Sequence, residues 1–85
     1  MAYPSHPFDL NRLRFVKRRK EFPNEKGEFY DVFYFEHVGF IEQWPDATDW
    51  RVSIKAESRY GNRDKISSLE EAKEVAIELL EQIYG

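Results

Sequence analysis

The chain has 85 residues, no cysteine and a formal net charge of −3 at pH 7. This length suits a single domain, residues 1–85, and leaves little room for a core that also encloses a substrate pocket. The absence of cysteine excludes disulfides, thiolate nucleophiles and cysteine-ligated metal sites, and it favours a reducing, cytoplasmic location.

Residues 1–9 contain two prolines and no hydrophobic period, which predicts an extended or frayed leader. They hold no basic region followed by an apolar stretch, so no signal peptide is expected. No apolar run elsewhere approaches the ~20 residues with which a helix crosses a bilayer. We therefore expect a protein that has no membrane partner.

A first strand is compatible with residues 10–17, because apolar and basic side chains alternate there. Leu13 and Phe15 would point to one side of the sheet, and Arg12 and Arg14 to the other. The basic run that follows interrupts the alternation and ends the predicted strand.

The next part of the chain alternates turn signals with aromatic segments. Proline, asparagine and glycine predict a turn over residues 22–27. The most strand-like segment is 28–36, which is dense in aromatic and β-branched residues. Gly39 is expected to mark a bulge or the end of that strand, which residues 40–44 could continue. A second turn is predicted over residues 44–49.

The clearest strand pattern lies at residues 50–57. One face of this predicted strand consists of Trp50, Val52, Ile54 and Ala56. A third turn is predicted at Tyr60-Gly61-Asn62, followed by a short edge strand over residues 63–66.

The last element is predicted to be an amphipathic helix over residues 68–84. Ser68 and Glu71 have the spacing of a capping box, in which the hydroxyl accepts from the backbone and the carboxylate reaches back. The apolar stripe expected to face the sheet consists of Leu69, Ala72, Val75, Ala76, Leu79, Leu80 and Ile83. These elements predict an α+β fold: a three- or four-stranded antiparallel sheet over residues 10–66 with one C-terminal helix packed on one face.

No enzymatic role is predicted. Neither histidine, His6 or His37, has partners at a spacing used by acid–base or metal sites. Glu42, Asp46 and Asp49 flank the second predicted turn, where aspartate is favoured for backbone reasons, and no calcium-loop pattern is present. We therefore expect no catalytic residue, no metal site, no cofactor and no small-molecule substrate.

Charge alternates along the chain. The balance is +5 over residues 10–27, −6 over residues 28–50, +3 over residues 51–65 and −4 over the last twenty residues. This alternation predicts separate basic and acidic faces, unlike the uniformly basic surface of a dedicated nucleic-acid binder.

The sheet face away from the helix is expected to carry the basic side chains Arg12, Arg14, Arg51 and Lys55. Tyr30 and Tyr34 would join them if Phe29, Phe33 and Phe35 point inward. Basic groups among aromatic rings can neutralise phosphates and stack on bases, so nucleic-acid binding is one candidate function.

Aromatic residues make up 16% of the chain, which is more than one short helix can cover. Exposed aromatic patches rimmed by charge are typical of protein interfaces. We therefore predict a partner-binding surface on the folded chain. Its apolar anchors would be Tyr30, Tyr34, Trp44 and Trp50, and its orienting charges Arg12, Arg14, Arg51 and Lys55.

Residues 50–54, a glycine-containing turn and residues 66–72 form a layout that resembles the AP2-type and integrase arm-binding DNA modules. The shared pattern is a tryptophan strand, a short hairpin and a helix that opens with a Ser/Thr-x-Glu-Glu-Ala-like sequence. The resemblance implies that the exposed face of a three-stranded sheet reads the major groove of DNA. The chain departs from these modules in its long acidic, aromatic segment and its acidic net charge.

Together these features predict a small non-enzymatic protein that associates stoichiometrically with another protein or with its own copy. Short proteins with polarised charge are common among accessory proteins and phage inhibitors or adaptors. The alternative is a nucleic-acid-binding module that uses the basic and aromatic face of the sheet.

Overall fold

The computed structural model describes residues 8–19, 27–44 and 48–84, and it shows a five-stranded antiparallel sheet with one C-terminal helix. The strands are neighbours in chain order, so the sheet is a meander. The elements are β1 (Leu13–Lys17), β2 (Glu28–Tyr34), β3 (Glu36–Gln43), β4 (Trp50–Ala56), β5 (Arg59–Ile66) and α1 (Leu69–Tyr84). The α+β class and the single helix are confirmed, while the sheet has more strands than predicted.

The additional strand arises from a tight reversal at Phe35. Tyr34 pairs with Glu36 across it, so the strand predicted over residues 28–36 ends at Tyr34 and a new strand begins at Glu36. Phe35 has a φ of 68°, a conformation that a bulky residue rarely adopts. Because this turn contains no glycine, proline or asparagine, the sequence carries no local signal for it.

Gly39 lies at a bulge within β3, one of the two alternatives expected for it. The register shifts there, so that Val38 is an extra residue between His37 and Gly39. A Cβ atom at position 39 would collide with the carbonyl oxygen of Ser53 and lie 2.9 Å from the Cα atom of Ile54. Glycine is therefore required for β3 and β4 to approach each other at this point.

The β4–β5 connection lies earlier than predicted. Ala56 pairs with Arg59, which leaves a two-residue turn at Glu57 and Ser58. Both residues have a positive φ, 51° and 66°, as a type I′ hairpin turn requires. The predicted turn at residues 60–62 is wrong, because Gly61 lies inside β5.

Gly61 makes room for the helix rather than for a turn. A Cβ atom there would lie 2.9 Å from Cδ2 of Leu79. Gly39 and Gly61 both pair with Ile54, one from each neighbouring strand. The two glycines thus leave space around the centre of β4, where Ile54 is fully buried.

Helix α1 begins as predicted and packs chiefly on β4 and β5. The Glu71 backbone N–H donates to Oγ of Ser68 at 3.1 Å. The Glu71 carboxylate, however, accepts from the backbone and hydroxyl of Ser67, one residue earlier than a capping box would place its partner. These hydrogen bonds from Ser67 lower the pKa of Glu71. The buried helix residues are Ala72, Val75, Ala76, Leu79 and Leu80.

The N-terminal segment enters the sheet through a short 3₁₀ turn, Leu10–Arg12, instead of a strand that begins at residue 10. Asp9 caps this turn by accepting from the Asn11 backbone N–H at 3.1 Å. The Asp9 backbone N–H donates to the buried hydroxyl of Tyr34 at 2.8 Å. Residues 1–7 of the predicted leader, including His6, lie outside the described residues.

Residues 22–26 of the first predicted turn and residues 45–47 of the second, which include Asp46, also lie outside the described residues. Among the helices of the described part of the chain, none has the length and apolar character needed to cross a membrane.

Candidate binding surface on the outer face of the sheet

The sheet has two unlike faces. Side chains that alternate toward α1 form the inner face and the core, which includes Val32, Ile41, Val52 and Ile54. The opposite side, called the outer face below, is not covered by any element in the described ranges. It is formed by Arg14, Val16, Arg18, Phe29, Asp31, Phe33, His37, Phe40, Glu42, Arg51, Ser53, Lys55, Tyr60 and Asn62.

The side chains of β2 lie on the opposite faces of the sheet from those considered in the sequence analysis. Tyr34 is buried in the core at 2% exposure, and Tyr30 is half-buried on the same side, against Trp50. The phenylalanines of β2, Phe29 and Phe33, lie on the outer face instead. Val32 and Asp31 explain this reversal, because the apolar residue enters the core with the tyrosines and the carboxylate remains with the phenylalanines.

Two predicted anchors are therefore removed from the accessible surface. Tyr34 is enclosed by Phe8, whose ring stacks at a centroid distance of 5.0 Å, and by Tyr84 at 4.9 Å. Trp50 is a core residue of β4. Trp44, which follows β3, is the predicted anchor that remains exposed.

Arg12 also departs from its expected position. It lies in the 3₁₀ turn, 3.8 Å from a carboxylate oxygen of Asp9, with its guanidinium 5.4 Å from the ring centroid of Phe35. It thus belongs to the β2–β3 end of the molecule rather than to a strand of the outer face. Arg14, Arg51 and Lys55 are on the outer face, as expected.

Three arginines of the outer face lie over aromatic rings, Arg18 most closely. The guanidinium carbon of Arg18 lies 3.9 Å from the ring centroid of Phe29. The corresponding distances are 5.8 Å for Arg14 and Phe33 and 5.7 Å for Arg51 and Trp44. Such contacts are worth about 0.5–1 kcal/mol each at exposed sites, and they hold the guanidinium groups in a defined arrangement.

Asp31 joins the arginine and aromatic groups at the centre of β2. Its carboxylate accepts from Nε and Nη2 of Arg18 at 3.2 and 2.7 Å, and Nε2 of His37 lies 2.9 Å from the same carboxylate. Burial by itself would raise the pKa of Asp31, but the hydrogen bonds and charges of Arg18 and His37 together lower it. The Asp31 carboxylate is therefore held ionised beneath its two partners.

Positive groups project from the outer face more than negative groups do. The side chains of Asp31 and Glu42 are 16% and 19% exposed, whereas those of their partners Arg18 and Arg51 are 54% and 42% exposed. The carboxylates thus lie at the level of the sheet, and the guanidinium groups lie above them. A partner that approaches this face meets cations and rings first, although the whole chain carries a negative net charge.

A shallow depression of about 340 Å³ lies on the outer face between β3, β4 and β5. Lys55 and Tyr60 are cross-strand neighbours on one side of it, and Phe40 and His37 lie on the other. The Tyr60 oxygen accepts from Oγ of Ser53 at 3.3 Å and from Nδ2 of Asn62 at 2.8 Å. These two hydrogen bonds lower the pKa of Tyr60, and the charge of Arg51 lowers it further. 

His37 is not isolated in solvent, although the sequence showed no partner for it at a catalytic spacing. It pairs with Asp31, and its ring packs edge-on against Phe33 at a centroid distance of 5.3 Å. Within the described residues, no group of three or more histidine or acidic side chains is arranged to hold a metal ion. Glu42, considered as part of an acidic cluster, faces Arg51 instead.

Several residues of this surface were missed by the sequence analysis, namely Arg18, Phe29, Phe33, Phe40 and Tyr60. A signal for two of them was present in β2. Asp31 is the charged residue at the centre of that strand, and its alternation partners are Phe29 and Phe33. Tyr60 was missed because the β4–β5 turn was predicted at residues 60–62, whereas Tyr60 lies in β5.

Comparisons of the chain with protein-family models, with curated proteins and with solved structures found no match. The resemblance to DNA-binding modules therefore remains an expectation.

Proposed function

We propose that this chain is a small non-enzymatic binding protein whose outer face associates stoichiometrically with another protein. The observation that carries the proposal is the set of arginines that lie over aromatic rings, across a sheet face that no described element covers. Arginine, tryptophan and tyrosine are enriched among the residues that dominate binding energy at protein interfaces, whereas lysine and acidic residues are depleted.

The ordering of these side chains supports the proposal. Arg18 is held by both Phe29 and Asp31, so its guanidinium has lost much of its freedom before any partner arrives. Binding then loses less side-chain entropy than it would with a free arginine. The same network argues against catalysis by Asp31 and His37, since Arg18 shares the Asp31 carboxylate with His37 and balances charge that a catalytic Asp–His pair would use.

The cysteine-free composition supports a cytoplasmic site of action. A role as an accessory protein, or as a phage-type inhibitor or adaptor, fits a short binding protein with this polarised charge. Self-association through the outer face is part of the same proposal, because a second copy would also be a protein partner.

The experiment is affinity capture with a double variant that disrupts two separate points of the outer face, Arg14→Glu and Trp44→Ser. The control carries Leu10→Ser and Glu74→Lys, which likewise remove one exposed apolar side chain and reverse one exposed charge, but away from this face. We expect one dominant protein to be retained by wild type and control. Its affinity for the outer-face variant, measured with purified components by calorimetry, should fall at least about tenfold.

Light scattering on the purified chain tests the self-association form of the proposal. A dimer that is lost in the outer-face variant but kept in the control would identify the chain itself as the partner. If the partner is bound equally by both double variants, the outer face is not the interface and the proposal is wrong.

A second candidate, nucleic-acid binding, is favoured by the greater exposure of cations than of carboxylates on the outer face. It predicts a gel shift whose affinity falls steeply with salt, and Arg14→Glu should reduce the slope of log affinity against log salt. The acidic net charge and the existing pairing of Arg18 and Arg51 make it the weaker candidate.

A further inference from the structure

The depression on the outer face places a cation beside a polarised hydroxyl. Lys55 and Tyr60 are paired across β4 and β5, and both line the depression. Among the described residues, no carboxylate lies within 4 Å of the Lys55 ammonium group, in contrast to Arg18 and Arg51, which face Asp31 and Glu42. Lys55 therefore offers positive charge that no carboxylate of the described residues balances.

The Tyr60 hydroxyl is arranged to donate outward. Its oxygen already accepts two hydrogen bonds, from Ser53 and Asn62. A phenol oxygen that accepts twice has its own hydrogen left to donate, and the two incoming bonds polarise that O–H group. The Tyr60 side chain is also 64% exposed, so a ligand can reach the hydroxyl from solvent.

We propose that Lys55 and Tyr60 form a subsite that receives a carboxylate side chain of the protein partner, with the ring of Phe40 beside the apolar stem of that side chain. This inference rests on the proposed function, and it specifies the chemistry of the partner. The partner would present an aspartate or glutamate next to an apolar group.

A carboxylate fits this subsite better than a phosphate chain does. Its two oxygens match the two donors, the ammonium group of Lys55 and the hydroxyl of Tyr60. A nucleic-acid strand would need further unbalanced cations beside the subsite to follow its successive phosphates. The adjacent arginine, Arg51, is already engaged by Glu42 and Trp44.

The test is an NMR titration of the isotope-labelled chain with the capped dipeptide N-acetyl-Glu-Phe-amide. The matched neutral probe is N-acetyl-Gln-Phe-amide, which has the same shape without the charge. We expect backbone shifts at Ser53, Lys55 and Tyr60 with the acidic probe, and an affinity for the neutral probe that is lower by about fivefold, as an exposed ion pair allows.

The variants Lys55→Gln and Tyr60→Phe should each weaken binding of the acidic probe by a similar factor. Tyr60→Phe keeps the ring and removes only the hydroxyl. The control is Lys73→Gln, which changes the lysine whose ammonium lies 5.6 Å from the Phe15 ring centroid, away from the depression. It should bind the acidic probe as wild type does.

Equal affinity for the acidic and neutral probes would overturn the inference, as would a Lys55→Gln variant that binds like wild type. Tighter binding of a short oligothymidylate at the same residues would also overturn it, in favour of a phosphate ligand. These failures are distinct from failure of the proposed function. If Arg14→Glu with Trp44→Ser weakens binding of the partner while Lys55→Gln leaves the affinity for the partner unchanged, only the subsite is refuted.

Discussion

On the inner face of the sheet, α1 packs aliphatic side chains on β4 and β5, and residues such as Ile54 and Leu80 are completely buried. On the outer face, arginines lie on phenylalanine and tryptophan rings that remain partly accessible. The inner face is stabilised by removal of apolar surface from water, worth about 1.5–3 kcal/mol for each large side chain. Outer-face contacts are worth less than about 1 kcal/mol each. The inner face therefore maintains the fold, whereas the outer face is available to a partner.

The largest effect is expected from Gly39→Ala, because a methyl group there would collide with the Ser53 backbone oxygen. The backbone cannot move aside as a flexible side chain can. We therefore expect the free energy of unfolding to fall by about 4 kcal/mol, which is at or above the usual cost of overpacking a core. Chemical denaturation followed by circular dichroism measures it. Gly61→Ala is the control, since its methyl group meets only the end of the Leu79 side chain and should cost much less. Equal losses in the two variants would contradict the assigned role of Gly39.

The second prediction compares the two faces directly. Leu80→Ala removes a fully buried inner-face side chain and should lower the free energy of unfolding by about 3 kcal/mol. Tyr60→Ala removes a larger, exposed outer-face side chain and should lower it by less than about 1 kcal/mol. Urea unfolding of both variants provides the measurement. A loss for Tyr60→Ala as large as that for Leu80→Ala would show that the outer face also maintains the fold.

The smallest effect concerns the pH dependence of stability. The pKa of Asp31 is lowered in the folded chain, because Arg18 and His37 outweigh the effect of burial. An aspartate in the unfolded chain titrates near 3.9. The stabilisation is therefore present above about pH 4 and is lost as the pH falls through the lower folded value.

Asp31→Asn should accordingly make the loss of stability below about pH 4 less steep than in wild type, because the variant has no carboxylate to protonate. Urea unfolding at a series of acidic pH values measures this slope. Arg18→Met should also reduce the slope, since it removes the first partner of Asp31. Arg14→Met is the control: it alters a neighbouring arginine that stacks on Phe33 without touching Asp31. An unchanged slope in Asp31→Asn would contradict this account.

Part of the fold could be predicted because it follows from local patterns. The alternation in β4 and the apolar stripe of α1 each identify a buried face without reference to the rest of the chain. The Ser68 cap is similarly local, and its hydrogen bond to the Glu71 backbone is present. Arg14, Arg51 and Lys55 were placed correctly because each alternates with core residues of its own strand.

The errors arose where a distant contact decides the local conformation. Phe35 reverses the chain although no turn residue is present. Gly61 was interpreted as a turn residue, but it lies inside β5, where Leu79, eighteen positions later, occupies the space that a side chain would need. Tyr30 and Tyr34 were placed on the wrong side because an aromatic strand has two plausible faces, and only packing against Trp50 and Tyr84 distinguishes them.

By itself, then, the sequence determined the α+β class, the position of the helix and the inner face of β4, because hydrophobic periodicity and helix capping act over a few residues. The tertiary structure alone decided the number of strands and which aromatic residues lie on the outer face. Those features depend on strand register and on close approach between β3, β4 and α1, which involve residues far apart in the chain. The sequence indicated that aromatic residues would remain uncovered, and the structure identified them as phenylalanines and a tyrosine among arginines rather than the tyrosines of β2.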